Sequence, residues 1–275
     1  MNNGFDICKK TRKFTAESLH KVLKKLLQGS RSISEVDLRD AWLLELQKNK
    51  QIFSDGWYIP PPHGIGALFG TLQEKERLNF PTLRDKNYWP RKDVFLNRKE
   101  GIITLYASPV DRRSGTIGDF GTTLYFGKNK NIQQHLKDIF RLNTQIFDCI
   151  KIGMQIKSLY SYASNLLQKQ NYTNSGWISI SDPAKINMGH SIPIMTGIWK
   201  KDDISKKRIF LNRLEITKIQ PGIAFTIEAR LKSLSKPDLP TSYFHMIALV
   251  KENGKKELLT GFENIFKLVG MNYMP

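Results

Sequence analysis

Pro221-Gly222-Ile223-Ala224-Phe225-Thr226-Ile227-Glu228 is the stretch whose reading decides the fold. Proline and glycine open it as a turn, and the branched and aromatic residues that follow have the composition of a buried strand. The strand ends on a carboxylate, Glu228. A second run, His245-Met246-Ile247-Ala248-Leu249-Val250, reads the same way, and Asn253-Gly254 after it is a hairpin turn leading to Glu257-Leu258-Leu259-Thr260.

Working back toward the amino terminus, Ile102 to Tyr106 and Thr122 to Phe126 are branched and aromatic runs separated by turn residues that include Ser114-Gly115. From Asn131 to Phe147 the apolar positions Ile132, Leu136, Ile139, Phe140 and Phe147 follow helical spacing. Gly153 breaks that pattern, and Ile156 to Leu167 forms another helix. The first helix reads from about Thr11 to Gln28 through Leu19, Val22, Leu23, Leu26 and Leu27, with Gly29 as its stop. Ser34 opens the next, with Asp37 three residues on as a variant capping box and Val36, Leu38, Trp42, Leu43 and Leu46 inside. The segment 53–97 is irregular and rich in Pro and Gly, with short pieces able to pair as strands. An echo links the helical regions: Ile33 and Ile156, Val36 and Leu159, and the pairs Leu43-Leu44 and Leu166-Leu167 share one offset. It predicts two related α/β halves. No low-complexity linker divides the chain, so residues 1–275 are expected to form a single domain.

Forty per cent of the 275 residues are hydrophobic, enough for a substantial core and too many for a disordered chain. No apolar run approaches the roughly 18 residues of a membrane span, and Met1 to Asp6 lacks the charged-then-apolar layout of a secretory leader. Cys8 and Cys149 are too few for a disulfide framework and have no zinc-type spacing, which suits a reducing, cytoplasmic setting. The formal charge of +18 would attract polyanions without sequence preference. No RNA- or DNA-binding motif accompanies it, so a solvated lysine-rich surface is the favoured reading.

Taken in order, these pieces resemble the pita-bread metallopeptidase family of methionine aminopeptidase, Xaa-Pro aminopeptidase, prolidase and creatinase. The resemblance runs over nearly the whole chain: Ile33-Ser34-Glu35-Val36 before the second helix, Pro62-His63-Gly64-Ile65-Gly66, Gly118-Asp119-Phe120-Gly121-Thr122-Thr123-Leu124-Tyr125-Phe126-Gly127, Ile152-Gly153-Met154, and Gly189-His190-Ser191-Ile192-Pro193. Pro221 to Glu228 is the sharpest of these marks, and Glu252-Asn253-Gly254 with Glu257 to Thr260 closes the series. The resemblance implies an α+β pita-bread fold, two pseudo-symmetric α/β halves around a curved antiparallel sheet, without the extra amino-terminal domain of prolidases and creatinase.

It also implies a metal site, with departures. In the family two Asp, one His and two Glu hold two divalent metals. Carried over, the second Asp is Asp119, the His is His190 and the first Glu is Glu228. The first Asp, eleven residues before Asp119, falls on Ser108, a neutral hydroxyl; Asp111 lies three residues late and would need a local shift. The last Glu falls on His245, or on Met246 if the hairpin is anchored at Glu257. His245 is preferred, because an insertion in a hairpin costs less than a slip that turns a strand over. Since Ser108 removes the ligand dedicated to one metal, the expected site is mononuclear: one divalent ion (Fe, Mn, Co or Zn) on Asp119, His190, Glu228 and His245. Such a site with open positions polarises a carbonyl and acidifies bound water.

His63 matches the family's substrate-contacting His, and Trp57, Tyr58 and Pro60-Pro61-Pro62 beside it are candidate pocket walls. The family's second substrate His falls on Gly197. His20 and His135 read as structural. Three functions follow: a metal-dependent hydrolase acting on a small-molecule, amide or peptide-like substrate; an inactive relative binding peptide, protein or RNA; and a metal-independent, creatinase-like hydrolase using His63. Many relatives dimerise, so a homodimer is among the expectations.

Overall fold

A computed structural model of the chain describes residues 3–53, 55–57, 61–176, 182–195 and 197–275. Tyr58 and Pro60 of the motifs above lie outside these residues. Among the described residues the elements begin with α1 (Asn3–Gln28), α2 (Glu35–Leu46), β1 (Ile52–Phe53), β2 (Ile65–Gly70), β3 (Ile102–Ala107), β4 (Val110–Asp111) and β5 (Phe120–Tyr125). They continue with α3 (Lys130–Asp148), α4 (Ile156–Lys169), β6 (Tyr172–Asn174), α5 (Lys201–Lys207), β7 (Ile223–Ile227), β8 (Leu231–Ser233), β9 (Met246–Val250), β10 (Lys256–Leu259) and α6 (Glu263–Leu268).

Strands β2, β3 and β5 form one antiparallel sheet, with β3 central; β7, β9 and β10 form another around β9. The strands of the first sheet and β9 are buried along their whole length, as their branched and aromatic sequences require. The two sheets are sewn together just before β9. Thr122 bridges Phe244, Thr123 N–H donates to the Tyr243 carbonyl at 3.0 Å, and His245 N–H donates to the Gly121 carbonyl at 2.8 Å. A helix pair accompanies each sheet: α1 packs on α2, which lies against β2, and α3 packs on α4 and touches β5 and β7. This is the α+β, two-halved arrangement that the offset pattern predicts.

The pattern is less regular in detail. Ile33 and Ile156 are both buried, but Leu43 is buried where Leu44 is exposed, whereas Leu167 is the buried member of the second pair. The repeat therefore slips by one residue along the second helix of each half. Ser34 does cap α2: its hydroxyl accepts from Asp37 N–H at 3.1 Å, and the Asp37 carboxylate accepts from Ser34 N–H at 2.9 Å. Trp42 is fully buried and satisfies its indole N–H on Ser18 Oγ at 3.0 Å.

Helix α1 begins eight residues before the expected Thr11. Gly4 and the β-branched Thr11 and Thr15 weaken the local helical signal. Tertiary contacts override it: Cys8 is buried with Ile192, Ala224, Ile247 and Leu249 under the second sheet, and Thr11 and Thr15 return their hydroxyls to carbonyls one turn back. Farther along, Leu19, Val22 and Leu23 enter the main core. One helix thus crosses both halves.

No described helix is long and apolar enough to cross a membrane. Replacing Ser34 by Ala should cost about 1 kcal/mol through loss of the cap, and Trp42→Ala about 3–5 kcal/mol through the cavity left in the core. Urea denaturation of the two variants checks both values.

Candidate metal centre

Strand register decides which side chains meet. Ala107 pairs with Phe120, so one step beyond the ladder Ser108 stands opposite Asp119. Ile227 pairs with Met246, so one step beyond, Glu228 stands opposite His245. Both steps occur at the seam between the sheets, where His245 N–H is bonded to the Gly121 carbonyl. Residues 119, 228 and 245 therefore converge because two hairpin-like pairings end at the same place. Met246, the alternative position for the last ligand, is fully buried in the main core.

His190 arrives from outside the sheets. Its N–H donates to Thr226 Oγ1 at 2.9 Å and its carbonyl accepts from Thr226 N–H at 2.8 Å, which lays residues 188–191 along β7. Glycine is required at 189, where φ is +150° and a Cβ would run into the Thr226 carbonyl oxygen.

Asp119, His190 and Glu228 form one buried group, each offering a ligand atom within 4.8 Å of the others. His190 Nε2 lies 3.2 Å from Asp119 Oδ2 and 3.8 Å from Glu228 Oε1. His245 adjoins the group through Glu228, its Nε2 being 3.3 Å from Oε2. His190 Nδ1 sits 2.9 Å from the Ser191 carbonyl, which can only accept, so Nδ1 carries the hydrogen. A neutral His190 then aims its Nε2 lone pair at two carboxylates. Only a proton or a cation between them makes that arrangement favourable.

The electrostatics of burial are strong here. Burial lifts Glu228 to about 7, a rise that His190 partly offsets and Asp119 reinforces. Burial likewise lowers His245 to about 3, so its imidazole is neutral. For Asp119 burial alone would raise the carboxyl, yet His190 beside it holds the group below the usual range. Neither oxygen of Asp119 and neither ring nitrogen of His245 has a well-directed hydrogen bond, although all four are buried. Buried polar atoms are normally satisfied, and these belong to side chains in or adjoining the Asp119–His190–Glu228 group.

Comparison with solved structures fits this geometry. The X-Pro aminopeptidase of Thermotoga maritima superposes over 94% of this chain and 61% of its own, with TM-score 0.62 and 11% identity. For the prolidase of Pyrococcus furiosus the figures are 94%, 64%, 0.63 and 14%. The methionine aminopeptidase of Rickettsia prowazekii is covered almost end to end, 94% against 97%, with TM-score 0.61 and 14% identity. The chain has the pita-bread fold. It spans less than two thirds of the length of the prolidase and the X-Pro aminopeptidase. Neither a family model nor a curated protein matches the sequence.

Within the pita-bread fold, the remaining positions read from sequence can now be placed. Ser108 is buried opposite Asp119 with its hydroxyl unpartnered. Asp111 does not shift to replace it. Its carboxylate accepts from Ser114 N–H and Ser114 Oγ, both at 2.8 Å, and from Arg113 N–H at 3.1 Å, capping the turn after β4. Gly197 has φ +73° and open space around it, so no side chain reaches the site from there. His63 is not part of the buried group. It is half exposed, and its ring pairs with Asp55. His135 is buried between Tyr172 Oη and the Pro240 carbonyl, a satisfied core histidine.

Trp57, read from sequence as a candidate pocket wall, sets its ring edge-on to His190 at 5.6 Å, and the Arg208 guanidinium lies 3.8 Å from the Trp57 ring centroid. One contributor escaped the sequence reading. Arg12, from α1, donates to the carbonyls of Asp119, His245 and Thr260, the last two at 2.6 Å. An arginine at a helical position gives no sequence signal of such a role.

The raised Glu228 has a definite pH signature. In metal-free protein the stability tied to this group is full below its unfolded value near 4.5 and is lost as pH rises through about 7. Glu228→Gln should therefore be more stable than the parent at pH 8, by on the order of 3 kcal/mol, and not at pH 4.5. Denaturation in chelator at the two pH values tests this; an equal change at both would refute it.

Proposed function

We propose that this chain is a metal-dependent hydrolase acting on an amide or peptide-like substrate, with one divalent ion held by Asp119, His190, Glu228 and His245. The observation that carries the proposal is the buried Asp119–His190–Glu228 group, with orphaned polar atoms on Asp119 and His245. Each unmet buried group costs about 1–3 kcal/mol, and a single cation would take up the Asp119 carboxylate and one ring nitrogen of His245. The donor set fits such an ion: two neutral-capable imidazoles and two carboxylates suit Fe, Mn, Co or Zn. When bound, the ion supplies Lewis-acid polarisation of a carbonyl.

The chain's own residues supply the rest. The Ser191 carbonyl fixes the His190 tautomer so that Nε2 is the ligating atom. With Ser108 in place of a carboxylate, no second ion has a dedicated ligand beside Asp119. His63 takes the role of hydrogen-bonding the substrate carbonyl or leaving nitrogen in this reading, and Trp57, with its ring against His190, walls the site. The solved structures of like fold are named as prolidase, X-Pro aminopeptidase and methionine aminopeptidase, which supports a peptide-like substrate.

Protein purified without added metal should carry close to one equivalent of a divalent ion by elemental analysis. His190→Ala should lose it, and His63→Ala should keep it while turnover of unblocked peptides falls by about 10²–10⁴. A native chain that neither carries nor takes up metal would sink the proposal. The losses at Ser108 and Gly197 favour a second reading, an inactive scaffold for peptide, protein or RNA, which salt-sensitive RNA binding by metal-free protein would select. Turnover that persists in chelator and vanishes in His63→Ala would select the metal-independent hydrolase instead.

A further inference from the structure

We infer that Asp55 is a positioning residue for His63, holding the imidazole in the one tautomer that leaves Nε2 as the hydrogen-bond acceptor presented to substrate. The inference rests on the role of His63 given under Proposed function, in its form toward the leaving nitrogen, because an acceptor Nε2 cannot bond a carbonyl oxygen.

His63 Nδ1 lies 3.0 Å from Asp55 Oδ1. A carboxylate only accepts, so Nδ1 must carry the hydrogen and Nε2 the lone pair. Exposed ion pairs of this kind are commonly worth little, and both partners here are half exposed. Two further observations separate this pair from an incidental one.

The first is backbone strain. His63 sits at φ +60°, ψ +11°, in the left-handed region that a side-chain-bearing residue adopts only when its surroundings insist. They do insist. The His63 carbonyl accepts from Gly56 N–H at 3.1 Å, and the next residue, Gly64, donates to the Pro61 carbonyl at 2.8 Å.

The second is where the loop is moored. Trp57 N–H donates to the Ser108 carbonyl at 3.2 Å, and a Cβ on Gly56 would come within 2.6 Å of Ser108 Oγ. Trp57 carries the ring that packs against His190. From the far side, Lys201 Nζ donates to the Asp55 carbonyl at 3.0 Å and reaches the Gly56 carbonyl at 3.4 Å. The dyad is therefore fastened over Ser108, where the site lacks a carboxylate. In that position a histidine with a fixed acceptor nitrogen takes a proton from the attacking water at Nε2 and passes it from the same atom to the leaving nitrogen, while the Asp55 carboxylate accepts from Nδ1–H.

The test is long-range nitrogen–proton correlation NMR on the full chain with ring-labelled histidine, with His63→Gln identifying the resonance. At alkaline pH, where the ring is neutral, His63 should be predominantly the Nδ1–H tautomer. Asp55→Asn should abolish that preference and Asp55→Glu should restore most of it. On metal-loaded protein, Asp55→Asn should lower kcat for peptide substrates about a hundredfold, with KM and metal content unchanged. Identical His63 tautomer populations in the parent and Asp55→Asn overturn the inference, as does an unchanged kcat. A preparation that shows the tautomer response but takes up no metal supports the dyad and sinks the metal reading, so the two failures are distinguishable.

Discussion

One buried guanidinium holds the seam of the molecule together. Arg12 donates to the carbonyls of Asp119, at the start of β5, of His245, just before β9, and of Thr260, just after β10. Its planar fork of donors can serve three acceptors at fixed angles, which the single ammonium of a lysine could not match in geometry. Burial lowers its pKa to about 9, so it remains charged at neutral pH. The rings of Phe120 and Phe262, with centroids 4.3 Å and 5.2 Å from its carbon, cover the cation where water cannot. Two of the residues whose backbones it grips are residues whose side chains face the candidate metal centre.

That arrangement makes the centre a product of the junction and not of either half. Asp119 comes from the first sheet, Glu228 and His245 from the second, and His190 from the segment bonded to β7. Burial then sets their protonation: Asp119 is kept ionised by its imidazole neighbour, Glu228 is raised, and His245 is kept neutral. Two neutral-to-anionic pairs with few hydrogen bonds are poor core packing. Their cost is reasonable if the pocket is stabilised by a bound cation.

Much of this was legible in the sequence, for reasons that can be named. The strand after Pro221-Gly222 and the hairpin at Asn253-Gly254 are dictated by local chemistry, and Ser34 with Asp37 by capping geometry. His245 over Met246 came from the family resemblance together with the preference for a hairpin insertion over a strand slip, and Met246 does point into the main core. What the sequence concealed depends on tertiary contact. The first turns of α1 are helical because Cys8 packs beneath the second sheet. Asp111 looked like a substitute ligand, and only the three bonds of its own turn show why it is not. Asp55 lies in an irregular segment with no periodicity to read, and it matters only through the residue it meets across the loop.

The reach of α1 has a consequence for how the molecule comes into being. Residue 12 bonds residue 260, a separation of 248 positions along a chain of 275. Contacts so distant in sequence form late, after the loop entropy between them has been overcome. During synthesis the amino-terminal helix must wait, its arginine unsatisfied, until almost the last strand has emerged from the ribosome. A product that stopped short of residue 245 would leave the guanidinium without two of its three carbonyl acceptors.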